Sequence, residues 1–299
     1  MNNKILVIGS SNTDMTIKGK KLPAAGETVT GGIFYMGPGG KGANQAVAAK
    51  RLGGDVEFIC KVGNDIFGDN ALAGYEKEGI DISHAMRSAE ASGTALILVD
   101  DSGENCISVA SGANGDITPA DIDSVADVIR SAGFLILQLE IPIESVLRAA
   151  RIAHEAGVYV ILNPAPACEL PKELFSYVSL MTPNRTEAQI LSGCPVTDEA
   201  SLDKAVEVLR GYGVKDFVVT LGSKGSLVFQ GGKSEMIPSL KVKAVDATAA
   251  GDTFCGALCV ALSEGLSLQD AARFATKASA ITVTRRGAQN SIPARNEIL

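Results

Sequence analysis

Apolar residues fall along this chain in two kinds of run. Short, β-branched blocks at residues 5–8, 56–60, 134–139, 158–162 and 217–220 show no polar alternation, the pattern of strands covered on both faces. Between them, apolar positions recur at helical spacing over 43–52, 69–78, 119–131, 143–156, 201–212, 249–263 and 268–283. Gly53-Gly54, Gly79, Gly157, Gly213 and Gly265 follow these stretches, where a helix wants a left-handed terminator. Alternating strands and helices with short loops predict an α/β fold with a doubly wound, mostly parallel central sheet flanked by helices.

Two segments break the rhythm. Residues 15–35 and 93–110 read as antiparallel strands, and Asp101-Ser102-Gly103-Glu104 is a hairpin turn. They are expected to assemble into one small sheet, a β-lid over the main domain. The division is therefore 1–14, 36–92 and 111–299 for the α/β domain and 15–35 with 93–110 for the lid. Two short strand pairs bury too little apolar area to stand alone, and Ile33, Phe34, Leu96 and Leu98 need a covering surface.

Composition narrows the partners. Apolar residues make up 46% of the 299 and charged residues 20%, enough for a full core. Lys and Arg number 27 against 34 Asp and Glu, a net charge of −7. That balance argues against nucleic acid and against an anionic membrane surface, and no apolar run approaches the roughly 20 residues of a membrane span. The N-terminal apolar stretch ends at Gly9 and reads as a buried first strand rather than a signal peptide. Six cysteines form no C-x-x-C pair and only two histidines are present. This reads as reduced core thiols in a cytoplasmic protein without a zinc site.

Four motifs carry chemistry. Gly37-Pro38-Gly39-Gly40-Lys41-Gly42-Ala43-Asn44-Gln45 opens a helix and lets backbone N–H groups approach a ligand, with Lys41 and Asn44 toward it. It lacks Walker A spacing. In Asp246-Ala247-Thr248-Ala249-Ala250-Gly251-Asp252-Thr253-Phe254, small residues run into a helix with Asp252 in its first turn. The N–H groups of Ala249, Ala250 and Gly251 would lie at the positive helix end, suited to a transferring phosphoryl group, and Asp252 could take a proton from an attacking hydroxyl. Equally, Asp252 could simply stabilise the helix start. Asn184 and Glu187 share a helix face and could order a hydrated Mg²⁺ and phosphate oxygens, or form a capping box. Thr220-Leu221-Gly222-Ser223-Lys224-Gly225 follows a strand at the sheet edge where α/β folds bind ligands.

Together and in this order, these motifs resemble the ribokinase branch of the PfkB carbohydrate kinase family, over nearly the whole chain. Gly9-Ser10-Ser11-Asn12-Thr13-Asp14 is similar to the family's sugar-binding turn, and residues 39–49 and 246–254 to its two signatures. Leu137-Gln138-Leu139-Glu140-Ile141-Pro142, Leu162-Asn163-Pro164-Ala165-Pro166-Ala167 and Thr284-Arg285-Arg286-Gly287-Ala288-Gln289 resemble ribokinase segments.

The resemblance implies a ribokinase-like fold with a β-lid and ATP-dependent phosphorylation of D-ribose to ribose 5-phosphate. It implies that Asn12, Asp14, Gly40, Lys41, Gly42, Ala43, Asn44 and Glu140 surround the sugar. Asp252 would be the general base, and Ala249, Ala250 and Gly251 the anion hole. Asn184 and Glu187 would order the phosphates and Mg²⁺, the latter through water. Thr220, Leu221, Gly222, Ser223, Lys224 and Gly225 would cradle the nucleotide, with Thr276 near the adenine. A monovalent cation, K⁺, would sit by Asp246, Thr248, Thr282, Arg285, Gly287 and Ser291. It also implies a homodimer joined through the lids. Two positions depart from the family pattern: Ala247 stands where Thr is usual, and Thr276 where Asn or His is frequent. A kinase for another sugar such as 2-deoxyribose, and a non-catalytic sugar sensor, are the competing readings.

Overall fold

In chain order the strands are β1 (Lys4–Ile8), β2 (Asn12–Lys18), β3 (Ile33–Gly39), β4 (Asp55–Ile59), β5 (Lys61–Gly63), β6 (Met86–Ser88), β7 (Gly93–Val99), β8 (Asn105–Ala110), β9 (Phe134–Leu137), β10 (Tyr159–Leu162), β11 (Leu180–Met181), β12 (Asp216–Thr220), β13 (Ser226–Gln230) and β14 (Lys233–Ile237). The helices are α1 (Lys41–Arg51), α2 (Ile66–Glu78), α3 (Pro119–Ser124), α4 (Ala126–Ser131), α5 (Ile143–Glu155), α6 (Lys172–Tyr177), α7 (Arg185–Ser192), α8 (Glu199–Gly211), α9 (Ala250–Ser263) and α10 (Leu268–Thr282). The coordinates are a computed structural model and describe residues 2–298.

Eight strands form the central sheet in the order β14-β13-β12-β11-β10-β9-β1-β4. β4 through β12 run parallel in it, and β13 and β14 add an antiparallel edge. Why the core strands lack polar alternation is visible residue by residue. Leu6 and Ile8 of β1 pack into a core with α5 and α8, while Ile5 and Val7 pack into another with α1, α9 and α10. Leu135, Leu137, Val160, Leu162, Phe217 and Val219 share the first core, and Ile136, Ile161 and Val218 the second. Both faces are dry, as a sheet covered by helices on each side requires.

β1 lies between β4 and β9, so the chain leaves it first to one side and later to the other. Such a switch point opens a crevice at the carboxyl ends of the strands.

The small sheet has the order β3-β2-β7-β8. The expectation of purely antiparallel strands needs correction, because β2 and β7 pair in parallel, Asn12 opposite Gly93. Both strands leave the α/β body from the same edge, so they start side by side and run the same way. The strands also reach inward to Asn12 and Gly39. The hairpin between β7 and β8 turns at Gly103, with φ +90°.

Three further expectations differ. The stretch 119–131 is two helices, because Val125 leaves helical geometry (φ −110°, ψ 17°) and closes a tighter turn onto Ile122. The strand expected to reach residue 139 ends at Leu137; the Leu139 N–H instead meets the Ala165 carbonyl. The β13–β14 hairpin was not anticipated, although Gly231-Gly232, both at positive φ, is a tight-turn signature.

Candidate active site

At the carboxyl edge of the sheet lies a cavity of about 430 Å³. The start of β2, the loops after β9, β10 and β11 and the end of β12 bring it Asn12, Glu140, Asn163, Asn184 and Thr220. The N-termini of α1 and α9 add Lys41, Asn44, Gly251 and Asp252, α7 adds Glu187, and β7 and β8 roof it with Ala95, Ile97, Ile107 and Val109.

The start of α1 is set by Gly40, at φ +90°, where a Cβ would come within 2.8 Å of the Asn12 nitrogen. Only glycine lets the helix begin so close to the β1 loop. Glu140 then accepts from the Lys41 N–H at 3.0 Å and from Ser10 Oγ at 2.6 Å, tying the β9 loop to that helix end. Asn12 is held from behind by Asn114, whose Nδ2 donates to Asn12 Oδ1 at 2.7 Å.

The start of α9 is different. Its cap, Ala249, sits in the left-handed region (φ 59°, ψ 10°), and is the one non-glycine residue to do so among the described residues. Strained backbone of this kind clusters at functional sites. The turn ties the Ala250 N–H to the Ala247 carbonyl at 3.2 Å, so Ala250 is not the free donor that its sequence position implied. A Cβ built on Gly251 would meet nothing within 4 Å.

Asp252, in the first turn of α9, is 7% exposed. Its Oδ2 accepts from Asn44 Nδ2 at 2.9 Å and its Oδ1 from Gln45 Nε2 at 3.0 Å. Burial pushes its carboxyl above the usual range, opposed by the Lys41 ammonium and the two amide donors. Asn44 Oδ1 is buried without a partner, and so is matched to a ligand hydroxyl or amine. Asp14, across the cavity, is pushed up to about 6 by burial and by the nearby Glu140 and Asp252 carboxylates. Burial alone would lower the Lys41 ammonium, but Asp252, Glu140 and Glu187 together raise it. One cation thus faces four carboxylates.

Asn184 and Glu187 form a capping box at α7: Asn184 Oδ1 accepts from the Glu187 N–H at 2.9 Å and Glu187 Oε2 from the Asn184 N–H at 2.7 Å. Both also line the cavity, so the structural and the ligand-ordering readings coexist. Burial raises the Glu187 carboxyl.

Other expected positions lie outside the cavity wall, Thr248 excepted. Gly42 and Ala43 are buried and direct their N–H groups to Ser10. Beyond Thr220, residues 221–225 continue outward as a largely exposed turn. Thr276 spends its hydroxyl on the Ala272 carbonyl of its own helix at 2.8 Å. Asp246 gathers Thr248 and Gly287: its Oδ1 accepts from the Thr248 N–H at 2.9 Å and Oγ1 at 2.6 Å, and its Oδ2 from the Gly287 N–H at 2.9 Å. Burial raises this carboxyl, but those hydrogen bonds and Arg286 more than offset it and leave it below its ordinary range. The Arg285 side chain turns away to Glu297, while its N–H meets the Thr282 carbonyl. Ser291 Oγ donates to the Ala288 carbonyl at 2.7 Å.

Comparison with known proteins bears on this arrangement. The model of the pfkB family carbohydrate kinases matches residues 2–295. A ribokinase of Haemophilus influenzae is 45% identical over 300 residues, covering all of this chain and 98% of that protein. The crystal structure of a ribokinase from Thermotoga maritima superposes with a TM-score of 0.91 at 40% identity, covering 100% of this chain and 98% of that one. The structure of Arabidopsis thaliana ribokinase complexed with ribose and ATP does so with a TM-score of 0.92 at 32% identity and the same coverage. With its helix-end carboxylate, its glycine-opened first helix and a match spanning nearly every residue, the chain belongs to the pfkB family of carbohydrate kinases.

Proposed function

We propose that the chain transfers the γ-phosphoryl group of ATP to O5 of D-ribose, giving ribose 5-phosphate and ADP. One observation carries the reading. A single cavity joins a set of hydroxyl-recognising groups, Asn12, Asp14, Lys41, Asn44 and Glu140, to a helix N-terminus bearing the buried Asp252. The full-length likeness to ribokinases supports the choice of sugar.

In the proposed reaction Asp252 takes the O5 proton as O5 attacks the γ-phosphorus. The O5–P bond forms, the bond to the β-phosphate oxygen breaks, and ADP leaves with its electrons. Asn44 and Gln45 hold both carboxylate oxygens, so the base is aimed before substrate arrives. The free N–H groups at the α9 terminus, Gly251 first, face charge developing on the transferred group. Asp14 and Glu140 accept sugar hydroxyls, and Asn44 Oδ1 accepts another. Closure of the small sheet over this set would exclude water as a competing acceptor.

Four carboxylates around the phosphate path call for compensating positive charge. Asn184 and Glu187 fit a Mg²⁺ that keeps its waters, since among the described residues no three His, Cys, Asp or Glu side chains converge on a metal. The ion would supply charge neutralisation on the phosphates. Asp246, held ionised, would with the carbonyls of Thr248, Thr282, Arg285 and Gly287, and with Ser291, hold a large, weakly hydrated cation such as K⁺. Through the loop of Thr248 it would steady the strained Ala249 turn.

The outer face of the small sheet exposes Ile17 (45%), Phe34 (59%), Met36 (50%) and Leu96 (54%), contiguous by strand register. A second copy would cover it, giving a homodimer through the lids. No described helix is long and apolar enough to cross a membrane, and we place the protein in the cytoplasm, where its six free cysteines stay reduced.

Coupled ADP release across D-ribose, 2-deoxyribose, hexoses and a no-sugar control tests the reading. The highest kcat/KM should fall on D-ribose. Preference for 2-deoxyribose would reassign the substrate, and sugar binding without ADP release would mark a sensor.

A further inference from the structure

Behind the base lies a chain of three buried amides, of which Gln138 has no part in the roles above. Gln138, fully buried at the end of β9, donates its Nε2 to Gln45 Oε1 at 2.7 Å. Gln45 Nε2 then divides its two hydrogens between Asp252 Oδ1 and Asn163 Oδ1, both at 3.0 Å. Asn163 Nδ2 ends the chain on the Thr182 carbonyl at 2.9 Å.

The chain has one workable polarity. Were Gln45 turned over, its oxygen would face Asp252 Oδ1 and Asn163 Oδ1, acceptor against acceptor, and the buried carboxylate would lose a donor. The Thr182 carbonyl, through Asn163, and the acceptor-only carboxylate set this polarity, and Gln138 holds it by satisfying Gln45 Oε1, the end turned away from the base. The cost of this contact is visible. Gln138 Oε1 is buried with no partner, a state that native structures seldom keep without a reason. Gly9 makes room for it: a Cβ there would lie 2.0 Å from that oxygen.

We infer that Gln138 is a positioning residue that anchors the oxygen end of the Gln45 amide and so holds its N–H on Asp252 without touching sugar, nucleotide or base. The inference rests on the proposed role of Asp252. Losing the donor disfavours the charged form of the base, which already faces Asp14 on β2, Glu140 after β9 and Glu187 on α7, with Lys41 on α1 as the only cation that lines the cavity among the described residues. The acid limb of the reaction should then move to higher pH.

The test compares wild type, Gln138→Met and Gln138→Glu by kcat against pH at saturating ribose and MgATP, with melting temperatures and ribose KM. Met keeps the length and removes the donor. In Gln138→Met the acid limb should rise by about one pH unit, so that one unit below the wild-type midpoint kcat is about tenfold lower relative to its plateau. Ribose KM should stay within about twofold. The neutral carboxyl group of Gln138→Glu still donates to Gln45 and should return the limb toward wild type. Gln138→Leu replaces the Met variant if that protein does not fold. A limb that stays in place in the Met or Leu variant, a KM rise without a limb shift, or equal limbs in the Met and Glu variants would overturn the inference. Absence of ribose-dependent ADP release in wild type would instead refute the functional reading on which it rests.

Discussion

Replacing Asp252 by Asn separates chemistry from architecture more cleanly here than in most sites. The carboxylate accepts from two amides, Asn44 and Gln45. Gln45 is pinned by Gln138 and Asn163 and must keep its N–H toward residue 252. Asn44 is free to turn, and its Oδ1 has no partner. The new amide can therefore put its oxygen toward Gln45 and its NH₂ toward the Asn44 oxygen, which leaves the Asn44 NH₂ in the partnerless place that its oxygen held. Desolvation of a buried charge disappears, against the loss of a counter-charge for Lys41.

The expected result is a melting temperature at pH 7 equal to or above that of wild type. The sign follows from linkage. Asp252 has a raised folded-state pKa, so the native state holds its proton longer, and wild-type stability falls as pH rises through that window. The variant lacks the penalty. Activity has no such compensation, because an amide cannot take the O5 proton. Loss of a general base costs about 10²–10⁴ in kcat, equivalent to about 3–5 kcal/mol of barrier. ADP release at saturating ribose and MgATP reads the first effect and a thermal melt the second. Retention of more than about a tenth of wild-type kcat would refute the base assignment. A large fall in melting temperature would refute the hydrogen-bond reasoning.

Gly251→Ala should fold normally, since its Cβ meets open space, yet lose most activity by intruding where the phosphoryl group sits; near-normal kcat would show that no phosphate occupies this helix end. Asp14, raised to about 6, must be ionised to accept a sugar hydroxyl, so ribose kcat/KM should fall as pH drops through about 6. Asp14→Asn should weaken ribose binding at pH 7 and remove that limb, and an unchanged profile would exclude Asp14 from the sugar site. K⁺ should activate more than Na⁺, and Asp246→Asn should abolish the difference; equal rates in K⁺, Na⁺ and a tetraalkylammonium buffer would reject the cation site. Leu96→Asp, on the exposed outer face of the small sheet, should shift sedimentation from dimer to monomer and raise ribose KM, whereas a fully active wild-type monomer at micromolar concentration would reject the lid interface.

What the sequence disclosed depended on how local the governing physics was. Strands such as β1 and β9 were legible because burial on both faces leaves unbroken apolar runs. The helix starts at Lys41 and Ala250, expected at 43 and 249, were legible to within two residues because close approach and N-terminal charge demand glycine and small residues nearby. β11 escaped because two residues, Leu180 and Met181, carry no periodicity, and the parallel β2–β7 pairing escaped because register between segments 81 residues apart leaves no local trace. Within the site, Asp252 and Asn44 stood out by motif, but Ala250's tethered N–H depends on a left-handed turn at an alanine, which no propensity foretells. Gln138 and Asn114 contact other side chains; Gln138 showed only as a polar residue inside an apolar run and a ribokinase-like segment, and Asn114, in the polar stretch 111–116, gave no signal.

The central claim, phosphoryl transfer to O5 of ribose, is tested most directly by proton-coupled ³¹P NMR of the product from D-ribose, MgATP and K⁺. Transfer to O5 places phosphorus next to a CH₂ group, so the ester resonance must split into a triplet, and it must be absent with Asp252→Asn. A doublet, marking esterification at the anomeric or a ring secondary carbon, or a signal of inorganic phosphate alone, would contradict the account.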